Sequence, residues 1–471
     1  MQTNPCNPHP LRLPNVSLLR VVAGQGATVL DRISSGLAAF AKAHTPDAFV
    51  IAVLLTVLTF CLALLFGKAT PFECVRFWGN GFWTLLTFGM QMCLVVFSGY
   101  LLAVSPPVAR LLNAFSSLPR SPRTAVLLLA SASVVLCWLN WGVGLTASAM
   151  MVSFFAKKQP DADYRILVVA AYLGMGCSWH VGPSGSVPLL LATPGHFLEA
   201  RTGVLPLTET VFQPWPLFIA ATVCAALAAL CPMLLPPPDK RVHAVTIQPI
   251  LPDGAQPAQP VSESQSAAVR LEESRLVNLA VGVPGLIWLV DHFWTSGVAL
   301  TLDTVNFCVL VLAILCHPSP RSLVRSARQA GGLLHGIVLQ FPLYAGMYGI
   351  IKDSGLARTI SDVFVGLTGP RSFLLFVFWY SSAMNYFVPS GGSKWAIEAP
   401  YLLDAASRLG VDTGRLAVSY AFGDMGTNLI QPFWALPLLA VAKLDFKDIL
   451  GFELVLCAVY LVLVSVGLAL W

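Results

Sequence analysis

Four windows of this chain, 48–67, 77–109, 124–156 and 166–198, contain no Asp, Glu, Lys or Arg. Each reaches the roughly 20 residues that a helix needs to cross a bilayer. A soluble domain, with about a quarter of its residues charged, does not leave such gaps. Here only 11% of 471 residues are charged and 56% are hydrophobic. A soluble enzyme and a disordered scaffold are therefore excluded. The same composition excludes nucleic-acid binding, so no nucleic acid partner is expected, and with a net charge of only +5 the distribution of charge matters more than its total. The eleven cysteines sit mostly inside apolar runs and none forms CxxC, so they read as packing residues and not as a disulfide or zinc framework. What remains is an all-α polytopic membrane protein in contact with lipid.

Apolar stretches place nine crossings at Ala48–Phe66, Phe82–Val104, Ile166–Ala192, Val211–Leu235, Leu276–Val290, Asp303–Cys316, Gly331–Ile351, Leu416–Val441 and Leu454–Leu470. Two further stretches, 124–156 and 372–402, are broken near the middle and read as re-entrant hairpins. Residues 1–47 form an N-terminal segment, amphipathic over Val16–Ala43 and suited to the inner membrane surface. A first repeat covers 48–235, a Pro-rich cytoplasmic linker 236–274, a connecting helix 275–302, and a second repeat 303–471. A cytoplasmic N-terminus puts most Lys and Arg inside, among them Arg110, Arg120, Arg123, Lys157 and Lys158 on both flanks of the first hairpin. In the first repeat Asn140 is followed by Pro188 in SVPLLLATP; in the second Asn385 is followed at nearly the same spacing by Pro432 in IQPFWALP. One connecting crossing between the copies makes the repeat inverted, as in many secondary transporters.

Irregular backbone at membrane depth is tolerated where it lines a cavity or is buried in protein, so the breaks point at the site. They fall at Asn140–Gly144, Ser178–Ser186, Val388–Ser393 and Gly423–Asn428. Half-helix N-termini offer free N–H groups and a positive dipole end, and C-termini offer carbonyls. Ser184, Ser186, Ser390 and Ser393 stand where half-helices restart, with Gly185, Gly391 and Gly392 allowing close backbone approach. They suit a bound carboxylate; they also suit helix caps in tight turns.

Asp424 is the ionisable residue deepest in a predicted crossing. A coupling Na+, a proton, or hydrogen bonds from Thr427 and Asn428 would each offset its desolvation. His180 suits a substrate donor, a proton site or a hydrogen-bonded core histidine. Lys394 and Glu398, spaced i,i+4, suit a self-neutralising pair. Trp141, Trp179, Phe387, Phe433 and Trp434 adjoin the breaks and suit either an apolar pocket or helix packing. No arginine lies at a break, which favours one carboxylate over a doubly charged anion. A sodium-coupled dicarboxylate carrier is the alternative within transport. No GxxxxGK[ST] is present, and no cofactor is called for beyond a coupling Na+ or H+. An intramembrane serine hydrolase built on Ser184 or Ser178 with His180 and Asp424 is the alternative outside it, although GPSGS is not the GxSxG elbow.

The stretches FWGNGFWTLLTFGMQM (77–92), SGYLLAVSPPVARLL (98–112), WLNWGVGL (138–145), WHVGPSGSVPLLLATPGH (179–196), NYFVPSGGSKWAIEAP (385–400) and GDMGTNLIQPFWALPLL (423–439) carry a family pattern. In them the sequence resembles the short-chain fatty acid transporters, the acetoacetate and butyrate permeases of bacteria. The resemblance implies ion-coupled uptake of short monocarboxylates across the inner membrane, and membership of the wider ion-transporter superfamily. That superfamily implies two opposed hairpins, an elevator-type movement and, often, a homodimer. Carried over, its polar tip and break positions correspond to Asn140, Ser184, Ser186, Asn385, Ser390, Thr427 and Asn428.

Overall fold

The computed structural model describes residues 46–243, 266–297 and 299–471, so the amphipathic N-terminal segment and most of the Pro-rich linker lie outside the described residues. Among these residues there is no strand. The first half contains α1 (Ala48–Phe66), α2 (Pro71–Gly81), α3 (Leu86–Ala103), α4 (Pro106–Phe115), α5 (Pro122–Leu139), α6 (Trp141–Lys158), α7 (Tyr164–Cys177), α8 (Ser186–Leu191) and α9 (Pro214–Leu230). The connecting helix is α10 (Arg275–Ser296). The second half contains α11 (Leu302–Cys316), α12 (Pro320–Gly331), α13 (His335–Asp353), α14 (Leu356–Leu367), α15 (Phe373–Phe387), α16 (Gly391–Leu409), α17 (Thr413–Gly426), α18 (Leu436–Ala442) and α19 (Lys447–Leu470).

Burial separates these helices into an inner and an outer set. The stretch from α7 through α8 is 94% buried although it is apolar all round, whereas α1 and α10 are buried over only 22% and 17% of their apolar windows. A helix hydrophobic on every side with little of it covered by protein belongs against lipid. The outer set shows Leu54, Leu65, Phe66, Ile287, Val290 and Trp294 outward.

Seven helical segments among the described residues are long and apolar enough to cross a membrane, or eight if α12 and α13, bent by 49° at their junction, count as one span. The nine expected crossings differ from this in three ways. Helix α5, expected as a hairpin arm, is itself one of the seven. The Asp303–Cys316 crossing corresponds to a helix of only 15 residues. The Leu416–Val441 crossing is interrupted after Gly426, as Ile166–Ala192 is after Cys177.

The two halves share part of a packing scheme, but the arms α5 and α6 pack along each other whereas α15 and α16, expected as a second hairpin, approach each other only briefly. The helix before each broken helix pairs across the intervening arm, α5 with α7 and α15 with α17. The second arm of each pair packs on an earlier helix, α6 on α3 and α16 on α13. Two close seams help set this scheme. A Cβ placed on Gly99 of α3 would lie 2.5 Å from the carbonyl carbon of Gly142 in α6, and one on Gly81 of α2 would lie 2.9 Å from Cα of Gly349 in α13. Backbone meets backbone there, which small residues alone permit.

The breaks have local causes. Ser121 caps α5 by accepting from Thr124 N, and Pro122 fits the first turn. Asn140 ends α5 in extended conformation (φ −155°, ψ 112°), and its side chain accepts from Val143 N at 3.0 Å, so one residue closes one helix and caps the next. In the second half Val388, Pro389 and Ser390 separate α15 from α16; a proline, lacking an N–H, suits such an interruption. The second arm, expected to end at 402, continues to Leu409 through Pro400.

Candidate functional site

The four breaks meet in the interior. Asn428 Nδ2, in the turn after α17, donates to the Met175 carbonyl at 3.0 Å, and Tyr172 Oη of α7 donates back to the Asn428 carbonyl at 3.1 Å. Asn385 Nδ2 reaches Thr427 Oγ1 at 3.0 Å and Asn428 Oδ1 at 2.9 Å, while Thr427 Oγ1 donates to the Ser382 carbonyl at 2.9 Å. These three residues thus join break to break. They do not satisfy Asp424, which corrects the expectation for Thr427 and Asn428: their polar groups are already used on α7 and α15.

The serines divide their work differently from the expectation that all four restart their own half-helices. Ser184 Oγ accepts from Trp141 N at 3.1 Å, so it caps the first hairpin's second arm. Helix α8 begins at Ser186 with no side-chain cap from Gly185, which backs onto the His180 carbonyl. Ser393 Oγ donates to Ser390 Oγ at 2.6 Å across the first turn of α16. Gly392 faces the ring of Phe88, and Gly391 abuts the first-half break: a Cβ there would lie 2.6 Å from Asp424 Oδ2 and closer still to His180 Cε1.

Behind Gly391 lies a buried ionic cluster. His180 Nδ1 stands 2.9 Å from Asp424 Oδ2, and Lys394 Nζ 2.9 Å from Asp424 Oδ1, with all three residues 1% exposed or less. His180 Nε2 accepts the Val187 N–H at 3.1 Å, which requires a ring nitrogen without a proton. The imidazole is then neutral, with its hydrogen on Nδ1 facing Asp424, and Ser186 Oγ, also 3.1 Å from Nε2, is a second donor to it. Lys394 Nζ donates as well to the Ser381 carbonyl and Oγ, both at 2.9 Å, and lies 4.7 Å from the centre of the Tyr420 ring.

The expected Lys394–Glu398 pair is not formed. On an exposed helix an i,i+4 pair is the nearest partner available. In the interior Lys394 turns to α17 and α15 instead. Both Glu398 oxygens are buried and accept no hydrogen bond among the described residues, beside the Tyr380 and Tyr401 hydroxyls, which lie 2.8 Å apart. Ser381 and Tyr420 are functional neighbours that sequence reasoning did not single out. Neither carries a signal visible without the fold.

An aromatic group closes the other side. Trp179 stacks on His180 (ring centres 4.2 Å apart), Trp141 meets Trp179 edge-on at 5.8 Å, and Trp434 meets Trp141 at 5.6 Å. Trp434 Nε1 donates to the Pro389 carbonyl at 2.8 Å, tying the second hairpin to this group. Phe433 packs against Trp434, but Phe387 is more than half exposed and does not line the centre. Three buried donors here have no partner among the described residues: Asn140 Nδ2, Trp141 Nε1 and Trp179 Nε1. Buried N–H groups are rarely left unpaired without a functional reason.

Ser186, His180 and Asp424 have the distances of a hydrolytic triad, with Ser186 in the place expected of Ser184 or Ser178. The backbone N–H on Nε2 competes for the lone pair that a general base would need, and the Asp424 carboxylate is shared with Lys394. No group of three His, Cys, Asp or Glu side chains among the described residues is placed to hold a metal ion.

A lipid-facing outer layer around two interrupted helices, with polar groups concentrated at the interruptions, defines a multi-pass membrane transport protein. Two solved transporters share the fold. The YdaH transporter of Alcanivorax borkumensis superposes with a TM-score of 0.61 at 16% identity, covering 90% of this chain and 98% of its own. MtrF of Neisseria gonorrhoeae, described as illuminating a class of antimetabolite efflux pumps, superposes with a TM-score of 0.54 at 12% identity, covering 94% and 97%. The chain belongs to the short-chain fatty acid transporter family, whose model matches residues 29–471. Relatives named provisionally as short-chain fatty acid transporters occur in Escherichia coli K12, 36% identical over 94% of this chain and all of that protein, and in Haemophilus influenzae, 36% identical over 90% and 96%. The protein is accordingly a transporter and not an enzyme.

Proposed function

We propose that the protein is a secondary transporter that takes butyrate, acetoacetate and similar short monocarboxylates into the bacterial cell across the inner membrane. The observation that carries this reading is the trio of unpartnered buried donors, Asn140 Nδ2, Trp141 Nε1 and Trp179 Nε1, beside the apolar faces of Trp141, Trp179 and Trp434. A carboxylate supplies the missing acceptors, and a short acyl chain suits the ring faces. No arginine stands at the breaks to clamp a second carboxylate.

In this reading the hairpins α5–α6 and α15–α16 are re-entrant from opposite faces, the repeats are inverted and the N-terminus is cytoplasmic. The block of hairpins and broken helices moves as an elevator, coupled to an ion gradient. The assembly is a homodimer. Uptake of labelled butyrate and acetoacetate into proteoliposomes, with and without sodium or pH gradients, tests the reading. The expected result is uptake that Asn140→Leu weakens by about 1–3 kcal/mol of binding energy, the worth of hydrogen bonds to a charged partner. Absence of uptake under every gradient would sink it, and competition by succinate but not butyrate would point to a dicarboxylate carrier.

A further inference from the structure

Lys394 places an ammonium group in the interior, hydrogen-bonded to the Ser381 carbonyl and Oγ and 2.9 Å from Asp424 Oδ1. The His180 imidazole on the other Asp424 oxygen is neutral, because its Nε2 accepts from Val187 N. Asp424 and Lys394 therefore balance, one charge against one. An inorganic cation at Asp424 would have to share the carboxylate with an ammonium already 2.9 Å from it, against like-charge repulsion.

A bound monocarboxylate brings a second negative charge to this balanced pair. We infer that the substrate carboxylate, received first on the Asn140, Trp141 and Trp179 donors, moves on to replace Asp424 as the counter-ion of Lys394 and that Asp424 takes up a proton as it lets go, so that one proton crosses with each acid anion and no metal cation is required. The step conserves charge. Water on the entry side gives the proton to a carboxylate oxygen of Asp424, and Lys394 keeps its three protons throughout. On the exit side the acid anion leaves, Asp424 returns its proton to water, and the Lys394–Asp424 pair forms again. Binding of acid and binding of proton are thereby linked, each strengthening the other by the same factor.

Of the two buried carboxyls in this cluster, Asp424 and not Glu398 is in contact with Lys394. The titratable groups that face Asp424 are Lys394 and Glu398 from α16, His180 at the α7 break, Tyr420 on α17 itself and Tyr460 from α19, whose hydroxyl donates to the Phe422 carbonyl at 2.6 Å. Lys394 and His180 alone touch the carboxylate. Asp424 is where a proton changes the hold on Lys394.

The inference rests on the monocarboxylate reading, and proteoliposomes separate the two. With sodium absent and the outside acid, the wild-type protein should accumulate labelled butyrate and acidify a pyranine-loaded lumen by one proton per butyrate, both faster than protein-free liposomes of the same lipid, where only the neutral acid diffuses. Lys394→Gln should lower butyrate counterflow about tenfold or more, the loss of a charge-assisted contact. Asp424→Asn, neutral at every pH, should lose gradient-driven accumulation while still exchanging butyrate at a rate flat between acid and neutral pH. Dependence on sodium, butyrate uptake without proton movement, or equal loss of exchange in well-folded, monodisperse Asp424→Asn and Lys394→Gln would overturn the inference. The stoichiometry of the protein-dependent flux, after subtraction of protein-free liposomes, decides the matter if either variant fails to fold. Absence of butyrate uptake under every condition would instead remove the substrate reading beneath it.

Discussion

Gly391→Ala adds one methyl group where the second hairpin meets the first-half break. The new Cβ would lie 2.6 Å from Asp424 Oδ2, and ordinary contact begins at 3.4 Å. His180 cannot yield, being held by Val187 N, by Asp424 and by the stacked Trp179 ring. The hairpin tip must therefore retract by about 1 Å, the kind of backbone shift that overpacking costs at about 1–3 kcal/mol. Retraction also lengthens the Lys394–Asp424 contact from 2.9 Å. At an effective dielectric constant of about 20, opening an ion pair by that much loses about 1 kcal/mol. Together these give about 2–4 kcal/mol. Detergent-purified protein is best compared by its half-life at a fixed elevated temperature, since unfolding of such a protein is governed by rate. Gly391→Ala should shorten that half-life about tenfold or more, on the scale of 1.4 kcal/mol per decade. Gly79→Ala is the control, because nothing lies within 4 Å of its added methyl group. If Gly391→Ala lives as long as wild type and carries substrate at the wild-type rate, the close docking of hairpin tip on ionic cluster is wrong.

Further outcomes follow from the same contacts. Lys394→Met leaves Asp424 buried without its counter-ion and should destabilise the protein by about 3–5 kcal/mol; adding Asp424→Asn should recover a large part of that in the thermal half-life. Asn428→Ala removes the bonds to Met175 and Asn385 and should cost about 1–3 kcal/mol in the same measurement, with Tyr172→Phe costing about 1 kcal/mol. Trp294 is 88% exposed and Trp83 64%, while Trp179 and Trp395 are buried. Brominated phospholipid should therefore quench the intrinsic fluorescence, and Trp83→Phe with Trp294→Phe should lower the quenching, the half-exposed Trp288, Trp379 and Trp471 accounting for what remains. Undiminished quenching in that double variant would contradict the outward placement of these rings.

The lipid-facing helices were legible because their signal is local: a run without charge is visible residue by residue, as at 48–67. The break at Asn140 was legible for a similar reason, since an Asn among small residues within an apolar run has both the cap and the room to turn. Partnerships across the fold were not. Lys394 finds Asp424 on another helix and Ser381 on a third, and nothing in the spacing of those residues distinguishes that arrangement from the nearer Glu398. Ser184 was read with the helix that follows it, yet it serves Trp141, because the hairpin folds back onto the break. Periodicity names the face of a helix; the choice of partner on that face belongs to tertiary packing.

The glycine seams, Gly99 against Gly142 and Gly81 against Gly349, have a mechanical meaning. Interlocked side chains act as teeth, and one helix can shift along another only by unseating them. Where main chains touch directly the helices approach more closely than any side chain would allow. The knot of Asn428, Met175 and Tyr172 binds the broken helices to each other, whereas these seams border the helices outside them. A bulky residue at Gly99 or Gly349 would force these paired main chains apart.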